Sequence, residues 1–257
     1  MERPWRHFSL HHVGETELRV VSDVDEGVIP VVQVEEEVIR GYAARACQPP
    51  RCVSLFILRD LQPLLRRLPP GARLPAGDAA ALMERPVVNV YSFEDPSTCH
   101  VFVNRESMRR AGYWDDVLAI RGLLAHEHAH PMVESGAVSA SRRLTVELSW
   151  EMREPEVPHG QWRERVDRFL AELVEKLCVS APREIVANEL AIRSGFHAAL
   201  LHLDRRNVAN AARSVEGRQT LVGRLADAVR GGDMSRDAAD LLTLIGDMRG
   251  YLDMALE

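Results

Sequence analysis

The stretch LLAHEHAH, residues 123–130, constrains this chain more than any other, because three histidines and a glutamate fall within five positions of it. As a strand, alternation would put His126, His128 and His130 on one face, where all three could hold one metal ion. As a helix, residues four apart share a face, so His126 and His130 pair while His128 points away. The backbone therefore decides which site is possible.

The preceding run, WDDVLAIRGLLA, selects the helix. It is rich in Leu and Ala, it lacks polar alternation, and Asp115 or Asp116 is placed to cap a helix start. Val117, Ile120, Leu123 and Leu124 recur at helical spacing, which predicts a helix over 116–130. On that helix the five residues read H126-E127-H128-A129-H130, an HExxH motif. Two neutral imidazoles one turn apart can bind Zn²⁺, and Glu127 stands beside the remaining coordination position as a general base. Pro131 follows at once, and a residue before proline is pushed away from helical geometry, so His130 is expected in the last turn or at a kink.

HExxH arises by chance in about one chain of this length in a hundred, so a third ligand is required before the motif means much. The segment SAPREIVANELAIRSGF, 180–196, offers one. Ser180 can cap a helix, Pro182 suits its first turn and Gly195 can end it. Along that helix Glu184, Ala187, Asn188 and Ala191 share a face. A carboxylate among small alanines suits a helix that packs tightly and still delivers a ligand. Asn188, one turn on, can accept a hydrogen bond from a ligand histidine and fix its tautomer. Glu189 is the rival, but it points about 100° away from that face.

HEHAH followed by REIVANELA resembles the gluzincin metallopeptidases, whose zinc is held by two HExxH histidines and a glutamate on a later helix. The ExxAN pattern is similar to that of ImmA/IrrE-type proteases, and its context is similar to the ExxAD helix of HtpX-type peptidases, with Asn188 where the aspartate stands. The resemblance implies His126, His130 and Glu184 as ligands of Zn²⁺, Glu127 as catalytic base and Asn188 behind a ligand. It covers about residues 86–197, with a longer gap between the motifs than in ImmA/IrrE-type proteins and none of the HtpX-type membrane spans.

The surrounding chain is compatible with that reading. PVVNVYSF (86–93) and CHVFVN (99–104), joined by EDPST, predict a hairpin, where zincins have the strand that lines the substrate cleft. An amphipathic helix is expected over 30–46 with Val31, Val34, Val38 and Tyr42 on or near one stripe, while 51–58 reads as a buried strand or the start of another helix. A loop is expected at 69–77, and helices over 139–152, 161–178, 181–193, 207–230 and 236–256. Hydrophobic residues make up 46% and charged residues 27%, and the net charge of −6 gives no basic field calling for nucleic acid. No run is long and apolar enough for a membrane span, and no secretory signal opens the chain. The four cysteines form no CxxC and are expected to be free, in keeping with a cytoplasmic protein.

These readings converge on an α+β, zincin-like fold, mostly helical, with a small antiparallel or mixed sheet next to the HExxH helix. The expected organisation is one domain over 1–257, with a metallopeptidase core at 86–197 and a helical extension at 198–257. The expected activity is zinc-dependent hydrolysis of a peptide or protein substrate. The alternative is a zincin-fold binding or regulatory module without turnover. Tyr113, Arg193, His197, His202 and Tyr251 could each donate to an oxyanion, and no spacing selects among them.

Overall fold

The computed structural model describes residues 5–45, 47–62, 83–92, 95–134, 181–213 and 215–256. The chain divides into two compact units, Met1–Val138 with Ala187–Leu203, and Ser139–Val186 with Asp204–Glu257. The helices expected over 139–152 and 161–178 and the loop at 69–77 lie outside the described residues.

The first unit is built on a five-stranded mixed sheet. Strands β1 (His7–Val13) and β2 (Thr16–Ser22) form a hairpin through Gly14, whose φ of 62° suits a residue without Cβ. Helix α1 (Val28–Ala44) leads to β3 (Cys52–Leu58), which pairs parallel to β2. Strands β4 (Val87–Tyr91) and β5 (Thr98–Asn104) form the expected hairpin, β5 parallel to β3 and β4 antiparallel at the edge, giving the order β1-β2-β3-β5-β4. Residues 51–58 resolve to strand. The sequence reading assigned no strand to the first hairpin, although HFSLHHV and TELRVVS alternate with period two. Its first strand lies at a sheet edge and its exposed side carries Phe8 and Leu10, which blurs the pattern.

Val20, Val53, Leu55, Ile57, Val101 and Val103 pack from the sheet against Val31, Val34, Val38 and Tyr42 of α1 in one buried cluster. Each such side chain contributes about 1.5–3 kcal/mol when fully buried, so this layer contact holds the unit together. A short helix α2 (Arg105–Arg110) leaves β5 directly, capped by Asn104, whose side chain accepts from Ser107 N.

Helix α3 (Val117–Glu134) carries the HExxH residues and packs its Ile120 and Leu124 into the same cluster. Asp116 caps it, Oδ1 accepting from Ala119 N at 3.1 Å. The helix does not end at His130 as expected; it runs through Pro131 to Glu134. Proline's fixed φ is itself helical, and what it removes is one donor, to the carbonyl four residues back, together with steric room at that carbonyl. That carbonyl belongs to Glu127, and Asn89 Nδ2 donates to it at 2.9 Å.

Helix α4 (Ala181–Ala191) passes through a π-helical turn (Ile192–Phe196) into α5 (His197–Arg213). Gly195, at φ 96°, breaks the helical backbone there, the stop expected from the sequence. Gly122 of α3 matters differently: a Cβ there would come within 2.8 Å of the Ala199 carbonyl, so only glycine permits so close an approach of these helices.

In the second unit, α6 (Val215–Gly231) and α7 (Arg236–Leu256) pack through Leu225, Ala228, Met234, Ala238 and Ala239. Arg218 pairs with both oxygens of Asp247, at 2.7 and 2.9 Å. The single helix expected over 207–230 is instead shared by α5 and α6, and 236–256 is helical as expected. No helix among the described residues is long and apolar enough to cross a membrane.

Candidate metal centre

Helix geometry brings His126 and His130 to one side of α3, with ring centroids 4.7 Å apart and planes at 87°. Their Nε2 atoms face each other at 3.1 Å. On α4, Asn188 and the turn before it, Glu184, lie on one face of a single unbroken helix. One ligand atom each from His126, His130 and Glu184 lie within 4.8 Å of one another, a group that could hold a metal ion. His130 is buried, and His126 and Glu184 are partly so.

Asn188 orients the His126 ring. Its Oδ1 lies 2.8 Å from His126 Nδ1, and an amide oxygen only accepts, so Nδ1 carries the proton. With Nδ1 as the donor, a neutral ring presents its lone pair at Nε2, the atom that faces His130. The donor set of two imidazoles and a carboxylate, with one imidazole oriented from behind, fits a borderline ion such as Zn²⁺.

His128 belongs to a different structure. It is 1% exposed, and its Nε2 lies 2.7 Å from Oε1 of Glu35 on α1, which is itself fully buried. Burial alone would push the ring's pKa down; the Glu35 carboxylate overcomes it, assisted by the Cys99 thiol, and holds the ring well above the ordinary histidine value. Seven residues along α1, the buried Tyr42 hydroxyl donates to Ala125 O at 2.6 Å. Burial raises the pKa of that phenol, keeping it a donor. Glu35 and Tyr42 thus fasten α3 from the side opposite His126.

Other readings resolve plainly. Glu189, the rival ligand, pairs with Arg193 and is more than half exposed. His202 Nε2 lies 2.7 Å from Asp116 Oδ2, the second oxygen of the α3 cap. Tyr113 is buried, and the side chain of Tyr251 lies outside those described. Among the described cysteines Cys47, Cys52 and Cys99 are free.

Sequence reasoning missed Glu35 and Asn89. Glu35 interrupts the apolar stripe between Val31 and Val38, and a carboxylate at such a position signals a buried partner. Asn89 shares the α3-facing row of β4 with Val87 and Tyr91, a polar residue at an apolar position. No protein family, characterised protein or solved structure matches this chain.

Proposed function

We propose that the chain is a zinc-dependent metallopeptidase of the gluzincin type, a cytoplasmic enzyme with a zincin-like fold acting on a peptide or protein. One observation carries the reading: ligand atoms of His126, His130 and Glu184 gather within 4.8 Å, and Asn188 holds His126 in the tautomer a metal needs. The two motifs lie 54 residues apart in sequence, so their meeting at one point is not a consequence of the helix that carries HExxH.

In this reading His126, His130 and Glu184 hold the ion. Bound zinc would supply Lewis acidity and lower the pKa of a water. The protein's own part is proton traffic and alignment. The Glu127 carboxylate takes the proton of the attacking water and returns it to the leaving amine. Glu127 is next to His126 and partly exposed, so substrate can reach it. Strand β4 is the sheet edge next to α3, which supports an extended peptide lying along it.

The test is zinc stoichiometry together with peptidase activity of the wild type and Glu127→Gln. The expected result is one tightly bound zinc in both and hydrolysis in the wild type alone. A protein that purifies without metal and gains none on addition would remove the enzyme reading. Metal binding with no hydrolysis across a broad peptide library would favour the module without turnover.

A further inference from the structure

The Glu127 carbonyl faces a residue that cannot donate to it. In an unbroken helix it would accept from the amide of residue 131, but residue 131 is proline and has no N–H. A helix interior that loses this bond ordinarily kinks or exposes the carbonyl to water. Here the helix continues for three further residues, and the donor comes from another element: Asn89 Nδ2 on β4, 2.9 Å from Glu127 O. The amide is committed to this task. Its own Oδ1 is buried with no hydrogen-bond partner among the described residues, a loss that another side chain at this position would avoid.

We infer that Asn89 is a positioning residue for the HExxH turn: it substitutes for the amide that Pro131 lacks, and so fixes the peptide lying between the two histidines and bearing Glu127. The inference rests on the metal-centre reading only for the purpose the clamp serves. Two features sharpen it. The clamp joins the HExxH turn to the edge strand itself, so it ties the Glu127 peptide directly to β4. On the opposite side of the helix Tyr42 Oη already holds the Ala125 carbonyl, so the backbone on both sides of His126 is tied to a separate element. Releasing Asn89 leaves only one of the two ties.

The test is a double-mutant cycle, because Pro131→Ala restores the missing N–H and makes Asn89 redundant. Zinc affinity and the visible spectrum of the cobalt-substituted protein are measured for wild type, Asn89→Leu, Pro131→Ala and the double variant. Asn89→Leu should weaken zinc binding about tenfold and alter the cobalt bands, as loss of a supporting partner does at other metal sites. Pro131→Ala alone should change little, and the double variant should recover wild-type affinity and spectrum. A double variant as impaired as Asn89→Leu, or an Asn89→Leu protein with wild-type affinity and spectrum, overturns the inference. If no variant binds zinc, the function proposed above fails instead, and the clamp is still read from thermal midpoints of the same four proteins. Asn89→Leu should then melt lower than wild type and the double variant should not. Equal losses in both backgrounds overturn the clamp. Asn89→Ala replaces the leucine variant if that chain fails to fold.

Discussion

Helix α3 carries the same residue type on two faces and uses it in opposite ways. His126 and His130 turn Nε2 atoms toward each other and toward Glu184, while His128 spends its Nε2 on a buried carboxylate. The difference lies in what occupies the nitrogen and not in burial, since His130 and His128 are both buried. The buried carboxylate ties up the ring nitrogen of His128, whereas the amide oxygen behind His126 leaves its other nitrogen turned toward His130.

The largest effect expected on this contrast is chemical. Glu127→Gln should lower peptidase activity about 10²–10⁴-fold with zinc content unchanged, measured by turnover against metal analysis. Next, Glu35→Leu strands the buried His128, and breaking such a pair costs about 3–5 kcal/mol in denaturant unfolding. Zinc stoichiometry of the folded fraction should stay the same; a parallel loss of zinc would merge the two faces into one site. Smaller again, Asn188→Leu should weaken zinc affinity about 10–100-fold in a competition titration, with little change in stability. The double variant Glu35→Leu/His128→Leu should be near neutral in stability, because it removes both buried charges together.

The pair also has a pH signature. The folded pKa of His128 lies above its unfolded value, so its stabilising contribution is complete below about 6.5 and disappears as pH rises through the raised folded value. The stability gap between wild type and Glu35→Gln should therefore narrow with rising pH. A gap that widened would mean that the histidine is neutral in the pair.

Much of this was legible because it is local. The α3 helix, the hairpin of β4 and β5, the α1 stripe and the stop at Gly195 follow from spacing and turn chemistry within about 20 residues. Residue types at helical spacing put His126 with His130 on one face and Glu184 on another, and the resemblance to gluzincins is what joins the three into one set. What escaped depends on a distant partner. Pro131 reads as a helix end from its neighbours alone, and the donor that meets the carbonyl it leaves open, Asn89, lies 42 positions earlier. Helical spacing sets His128 apart from the other two histidines, but its partner Glu35 lies 93 positions earlier. The β1 and β2 hairpin escaped for a different reason: an edge strand with exposed apolar residues carries a weak alternation.

The separation of the two motifs also sets an order of events during synthesis. With Glu184 54 positions after His130, and elongation at about 5–20 residues per second, both histidines emerge about 3–11 s before the glutamate. Through that interval the nascent chain holds the two histidines of the proposed centre and not yet its glutamate. The metal centre proposed above would therefore be completed only once the late helix has been made.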